Sequence, residues 1–414
     1  MARPRGDFTA GSVQARRRMV EVLLAEGMVS DSRVLEAMAK VPRETFVPHF
    51  WSLPGPLQTG APEDVMEWHV DRADPDGSVL DLVYDINRAL AIRRGPNTHG
   101  ATAGAGVTST ASAPRLVAAM LELLELAPGM RVLEIGTGSG YNAALLREMV
   151  GANGSVCSVD IDAELLALAT GRLAGAGYGD VHTEVADGHF GLRGPFDRVV
   201  ATVGCVDLSS AWLAQLAPGG FCLVALEHGG WHPLTRAEPS PEGAKGTVVG
   251  RSGFVGIQGH QAGRSPWPRA GRLAPGPAVK WTPLPEPLAA ELSSEPGREA
   301  IGGRRLFDLA YLLAMEDRRT AYMLSLAEAN SSAVIDSPGG RIGRAGPAGE
   351  ALQDRLLETA ELWRQLGRPT VHDYASNFNP AGPEVPLTGE QEGGVRWVIE
   401  RLDFHQEVRL KPRC

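Results

Sequence analysis

From Ala113 onward, apolar positions switch between a helical and a strand period at regular intervals. Ala113 to Leu126 sets Leu116, Met120, Leu123 and Leu124 on one helical face and stops at the turn Pro128-Gly129. The apolar run Val132-Leu133-Glu134-Ile135 then reads as a buried strand, and Asn142 to Met149 as a helix. Strand signals recur at Ser155 to Asp160, Val181 to Val185, Arg198 to Val203 and Phe221 to Leu226, with helical stretches at Ala163 to Leu173 and Ala211 to Leu216. This alternation predicts an α/β unit, a parallel sheet covered by helices on both faces.

Both flanks differ from this core. Thr9 to Glu26 carries Val13, Val20, Leu23 and Leu24 at helical spacing, and Ser30-Asp31 can cap a second helix bearing Val34, Leu35 and Met38. Trp51 to about Gly106 is turn-rich, with Val79 to Tyr84 its one strand signal. Eight prolines between Gln261 and Gly297 favour extended chain over helix or central strand. Beyond them Leu306 to Ala314, Ala321 to Ala327 and Leu352 to Leu366 read as helices, and Val395 to Leu402 as a strand. The expected organisation is a helical region (1–50), a loop-rich insertion (51–106), the sheet domain (107–260), a proline-rich linker (261–297) and a smaller C-terminal α+β domain (298–414).

Composition narrows the partners. A chain of 414 residues that is 43% hydrophobic can fill two ordinary cores. Its net charge of −9 opposes a nucleic-acid partner, whose phosphates need a positive field. The cysteines Cys157, Cys205, Cys222 and Cys414 show no C-x-x-C spacing, which implies free thiols, and no metal site is expected. No apolar run of membrane-spanning length occurs, and none follows the basic start Met1-Ala2-Arg3-Pro4-Arg5; a cytoplasmic protein without a membrane partner is expected. Arg16-Arg17-Arg18 reads as a solvated helix face.

The candidate chemistry sits at the strand ends. Gly136-Thr137-Gly138-Ser139-Gly140 follows a strand that holds Glu134, in a G-x-G-x-G pattern distinct from the dinucleotide G-x-G-x-x-G. Glycines let the backbone approach a ligand, and the free amides of the next helix suit a carboxylate, which matches S-adenosylmethionine. Asp160, 24 positions after Gly136, stands where a ribose-binding acid is expected, with Ile161 beside it. Asp162 suits the cap of the following helix. Asp187-Gly188 forms a third polar tip that can reach the adenine. The fold class is therefore a Rossmann-like, S-adenosylmethionine-dependent methyltransferase sheet with N-terminal helices and a smaller C-terminal α+β domain.

The acceptor is less directly written. Ala201-Thr202-Val203-Gly204-Cys205-Val206 contains neither the Asn/Asp-Pro-Pro-aromatic signature of adenine-amino methyltransferases nor a Pro-Cys nucleophile. A carboxylate acceptor needs no base, being ionised at neutral pH with a reference pKa of about 4. Donors for it are available in Thr108-Ser109-Thr110-Ala111-Ser112-Ala113-Pro114, although Ser112 before Pro114 is equally suited to capping the helix.

Thr110-Ala111-Ser112-Ala113-Pro114, Leu123-Leu124-Glu125-Leu126 and Arg131 to Ala144 together resemble the protein-L-isoaspartate O-methyltransferases, whose pattern is T-x-S-x-P followed by V-L-E-I-G-T-G-S-G-Y-x-A. Val41-Pro42-Arg43 with Phe46-Val47-Pro48, Asp187-Gly188 and Leu216 to Gly220 stand in the family's order. The resemblance implies that Thr110 and Ser112 contact the reacting carboxylate. It also implies that Glu134, Gly136, Thr137, Gly138, Gly140, Asp160, Ile161, Asp187 and Gly188 hold S-adenosyl-L-methionine. The implied substrate is an L-isoaspartyl or aspartyl group of a protein or peptide, esterified and then able to collapse to succinimide. Three departures stand out: Ser109 where a Gln usually precedes the Thr, a longer loop after Phe50, and about 185 residues after Gly229. Trp231-His232-Pro233-Leu234-Thr235 and Trp363 to Pro369 are similar to long-form relatives that methylate an Asp in ribosomally made peptides. A small-molecule O-methyltransferase using His99 or His189 as base is a further alternative, as is a cofactor-binding scaffold for a partner enzyme. Trp363, Tyr374 and Phe378 read as core.

Overall fold

The structure is a computed structural model that describes residues 10–52, 66–70, 77–95, 106–267, 279–292, 305–322, 324–381, 388–391 and 394–411. His99, Cys414 and much of the turn-rich insertion lie outside the described residues. Helices α1 (Ala10–Ala25), α2 (Ser32–Lys40) and α3 (Arg43–Phe46) open the chain, and Asp31 caps α2 by accepting from Arg33 N. A small antiparallel sheet follows from β1 (His49–Ser52), β2 (Met66–His69), β3 (Leu90–Arg94) and β4 (Val107–Ala111), in the order β2-β1-β3-β4. Between β2 and β3 lies α4 (Ser78–Tyr84), which corrects the strand expected at Val79 to Tyr84. The pairs Val79/Val83 and Leu80/Tyr84 recur four residues apart, so one face packs on the N-terminal core, a period that competed with strand propensity in a short apolar run.

Helix α5 (Pro114–Leu123) leads into the main sheet. Strands β5 (Arg131–Ile135), β6 (Ser155–Asp160), β7 (His182–Val185), β8 (Phe196–Cys205) and β9 (Leu216–Leu226) are parallel in the order β7-β6-β5-β8-β9, with helices α6 (Tyr141–Val150), α7 (Ala163–Ala176) and α8 (Ser210–Ala214) between them. Strand order reverses direction at β5/β8, the crevice where open α/β sheets bind ligands. Pro218-Gly219-Gly220 forms an irregularity inside β9, where the partner of Phe196 is Leu216 but that of Arg198 is Phe221.

The sheet continues antiparallel through β10 (His232–Ser240) and β11 (Gly243–Ser252). These strands had no clear sequence signal, because the inward positions of β11 are Ala244, Gly246, Val248 and Gly250; a Cβ on Gly246 would lie 2.5 Å from the Phe378 ring. Within the proline-rich stretch, β12 (Lys280–Pro283) and α9 (Glu286–Leu292) form, with Pro287 in the helix's first turn, where a missing N–H costs nothing.

After α10 (Arg305–Glu316), β13 (Ser325–Glu328), β14 (Ser331–Asp336) and β15 (Arg341–Ala345) build a second small sheet with β12. The helix expected over Ala321 to Ala327 is therefore a strand: the apolar run is too short to repay helix nucleation, while β14 offers four paired positions. Helix α11 (Gly349–Gln365), β16 (Tyr374–Pro380), β17 (Thr388–Gln391), β18 (Gly394–Glu400) and β19 (Phe404–Leu410) complete the chain. Strand β16 pairs with β11, so the main sheet has eleven strands, β17-β18-β19-β16-β11-β10-β9-β8-β5-β6-β7. One core lies under α1, α2, α5 and α6, a second on the opposite face around Trp212, and a third joins Trp231, Trp267 and Trp363. Trp363, Tyr374 and Phe378 are at most 1% exposed.

Candidate active site

A cleft opens over the β5/β8 reversal, between the glycine loop and β4. The glycine loop forms its floor. Gly136 has φ +98°, and a Cβ there would lie 2.8 Å from Val203 Cγ1; Gly138 has φ +54° and lines the cleft with Thr137. The backbone N–H groups of Gly136 and Thr137 both donate to Val159 O, at 2.8 and 3.0 Å, which ties the loop to β6.

The acids divide their work. Asp160 lines the cleft, its Oδ2 accepting from Gly138 N at 2.9 Å and its Oδ1 from Asp162 N at 3.0 Å. Burial pushes its carboxyl up, against the pull of those backbone donors. Asp162 caps α7 by accepting from Glu164 N and Leu165 N. Ile161 and Gly188 also line the cleft, and a Cβ on Gly188 would meet Ile135 Cγ2 at 2.3 Å.

Three expected residues stand outside the cleft lining. Glu134 is fully buried beneath the loop, accepting from Asn142 Nδ2 at 2.7 Å and Ser158 Oγ at 2.6 Å, and burial pushes its carboxyl up to about 7. Gly140 packs toward Ala169 and Leu173 of α7. Asp187 accepts from the backbone N–H of His189 at 3.0 Å and of His260 at 2.7 Å. The glycine spacing identifies a loop, while the strand's pleat decides which of its residues face the ligand.

The opposite wall carries hydroxyls. Thr108, Ser109 and Thr110 of β4 and the adjoining Ser112 line the cleft. Ser112 does not cap α5: the cap residue is Ala113, no side-chain cap bond is made, and Pro114 opens the helix. Arg43 holds this wall in place. Its Nη2 donates to Ser112 O at 2.9 Å and Ala111 O at 3.3 Å, and its Nε to Val83 O at 2.9 Å. Arg43 is fully buried, and its guanidinium lies 5.1 Å from the centroid of the Tyr141 ring.

Sequence reasoning missed Arg43 as a site residue, Thr202, and the segment Phe254 to Gln258 that covers one side of the cleft. Thr202 Oγ1 donates to Ile135 O and Gly136 O, at 3.0 and 2.8 Å. The covering segment is fixed through Gly204, whose N–H donates to Val255 O at 2.9 Å and whose carbonyl accepts from Ile257 N at 2.8 Å.

Among the described residues the lining contains no histidine, lysine, cysteine or glutamate. His189 lies outside it against Gln261 Nε2, with its pKa lowered by burial. Cys205 is buried and its thiol pushed up by desolvation, the reverse of an activated nucleophile.

A glycine-floored crevice at the reversal of a β7-β6-β5-β8-β9 sheet, with a ribose-type acid at the end of β6, is the architecture of the S-adenosylmethionine-dependent methyltransferases. The family model for Protein-L-isoaspartate(D-aspartate) O-methyltransferase (PCMT) matches residues 78–260. The Protein-L-isoaspartate O-methyltransferase of Ignicoccus hospitalis is 34% identical over 233 residues, covering 56% of this chain and 90% of its own. That of Methanopyrus kandleri is 34% identical over 257 residues, covering 61% of this chain and 95% of its own. A solved structure described as a protein-L-isoaspartate O-methyltransferase superposes with a TM-score of 0.49 at 21% identity, covering 87% of this chain and 95% of that one. The chain belongs to the protein-L-isoaspartate O-methyltransferase family.

Proposed function

We propose that the chain transfers the methyl group of S-adenosylmethionine to the side-chain carboxylate of an L-isoaspartyl residue in a protein or peptide. The carrying observation is that the glycine loop, Asp160, Thr110 and Ser112 line one cleft in which, among the described residues, no histidine, lysine, cysteine or glutamate stands as a base and the aspartates are engaged by backbone donors. Bound S-adenosylmethionine supplies an electrophilic methyl on a sulfonium. The residues present fit it: Asp160 retains lone pairs on both oxygens for ribose hydroxyls, and a Cβ on Gly136 or Gly188 would collide with Val203 or Ile135. Glu134 supports the loop from below through Asn142 and Ser158, and Asp187 fixes the Gly259–His260 turn beside the cleft.

The acceptor carboxylate reaches the site already ionised. Thr110 and Ser112 donate to it and aim one oxygen at the methyl carbon; a C–O bond forms as the C–S bond breaks, and neutral S-adenosylhomocysteine leaves. Arg43 positions these hydroxyls through the Ala111 and Ser112 carbonyls. Placement and preorganised donors then carry the rate. In the released ester the carboxyl carbon carries methoxide, a far better leaving group than the oxide of a carboxylate, so attack on that carbon by the neighbouring backbone nitrogen closes a succinimide, and the amide proton leaves with the methoxide as methanol.

A small-molecule hydroxyl acceptor would need a base, and among the described residues no histidine or lysine lines the cleft. Incubation with labelled S-adenosylmethionine and an isoaspartyl peptide is expected to yield base-labile methyl ester. Base-stable label, or none with the cofactor bound, would overturn the proposal.

A further inference from the structure

The small sheet presents a second cluster of chemistry at its β1–β2 edge, on the face shared by Trp51, Ala91 and Thr110 but outside the cleft lining. His49 pairs directly with His69 across β1 and β2, and Trp51 with Glu67. Residues two apart on a strand share a face, so His49, Trp51, Glu67 and His69 lie together. The alternate positions Phe50 and Ser52 turn inward, where Trp68 Nε1 donates to Ser52 Oγ at 2.7 Å.

The two imidazoles are stacked with centroids 4.5 Å apart and planes 20° apart, and both direct Nε2 toward one carboxylate oxygen. His49 Nε2 is 2.6 Å and His69 Nε2 3.8 Å from Glu67 Oε1, and the three ligand atoms fall within 4.8 Å of one another. We propose that His49, Glu67 and His69 form a binding site for a divalent transition-metal ion of the Zn2+ class.

The geometry suits that ion. With Zn–N and Zn–O bonds of about 2.0–2.2 Å, tetrahedral donors stand about 3.3 Å apart, between the two observed separations. Movements of less than about 1 Å by partly exposed side chains close the difference. Two imidazoles and one carboxylate select zinc, copper or nickel over magnesium or calcium, which prefer all-oxygen sets. The fourth position faces solvent and takes water. The bound ion ties the ends of β1 and β2 remote from the connection through residues 53–65. Because β1 pairs with β3 and β3 with β4, it braces the sheet whose last strand carries Thr110. None of the three ligands lines the cleft, so the ion has no part in methyl transfer.

The test uses the untagged full chain, stripped with chelator. Zn2+ is titrated calorimetrically, and Co2+ is followed by its visible absorption, which is intense only in tetrahedral sites. Wild-type protein is expected to take up one equivalent of Zn2+. His69→Ala and Glu67→Gln, both at partly solvent-exposed side chains, are expected to weaken binding at least ten-fold, while His182→Ala on the distant β7 leaves it unchanged. Wild-type affinity equal to that of His69→Ala or of Glu67→Gln, or loss of binding in His182→Ala, overturns the proposal.

Discussion

Replacing Glu134 with glutamine should change how stability depends on pH while leaving the cofactor in place. Glu134 is 0% exposed, and its carboxyl is pushed from an ordinary 4.5 to about 7, first by desolvation, with Ser158 and Asn142 pulling the other way. A folded-state pKa above the unfolded one means that the stability held below pH 4.5 is lost as pH rises to 7 and stays lost above it. At about 1.4 kcal/mol per pH unit, the loss is about 3 kcal/mol, most of it between pH 5 and pH 8. Glutamine does not ionise, and it costs about 1 kcal/mol at either pH for one rearranged hydrogen bond. Urea unfolding of both proteins at pH 5 and pH 8 isolates the effect, since the other titrating groups are common to both. Glu134→Gln is expected to gain about 2–3 kcal/mol relative to wild type on going from pH 5 to pH 8. A stability difference that does not change with pH would refute the reasoning. So would a loss of S-adenosylmethionine affinity as large as that of an Asp160 variant, because Glu134 does not line the cleft.

Four further outcomes follow from the same geometry. Asp160→Asn sets an amide against the Gly138 or Asp162 N–H and removes charged acceptors, so cofactor affinity should fall by about 1.5–3 kcal/mol, tenfold or more, in calorimetry; an unchanged dissociation constant would contradict the assignment. Ser112→Ala makes no change to a helix cap, so turnover should drop by about ten-fold or more while urea stability and cofactor affinity hold within about 0.5 kcal/mol; equal loss of stability and rate would show a structural role. Arg43→Lys cannot span the carbonyls of Val83, Ala111 and Ser112, and should lower kcat more than cofactor affinity; a KM or affinity effect alone would refute its positioning role. The rate should form a plateau from about pH 6 to pH 9, because the acceptor ionises near 4 and no histidine or lysine lines the cleft among the described residues; a steep rise near 6.5 would indicate a catalytic histidine.

The parallel half of the sheet was legible because buried strands, glycine turns and amphipathic helices each leave a local period. The glycine loop, Asp160 and the cap at Asp162 were readable for the same reason. The antiparallel half was not. Strand β11 turns Ala244 and Gly246 inward where Phe378, from a strand more than 120 residues later, occupies the space, and no local pattern reports that. Which acids face the cleft was hidden for a related reason. Asp187 stands outside the cleft lining, its Oδ2 accepting from His260 N 73 residues away, a contact that no local pattern reports. Arg43 sits in a motif that was noticed, yet its role depends on carbonyls 40 to 69 positions away. The histidine pair of β1 and β2 was likewise invisible, since His49 and His69 meet only through strand register.

The central claim is tested most directly by mass spectrometry of two peptides of identical sequence, one with an isoaspartyl linkage and one with ordinary aspartate, each incubated with the purified chain and S-adenosylmethionine. One added methyl on the isoaspartyl peptide, followed by conversion to succinimide, with the aspartyl twin unchanged, is the predicted result. Methylation of neither peptide by protein that binds the cofactor, or of both at equal rates, would contradict it.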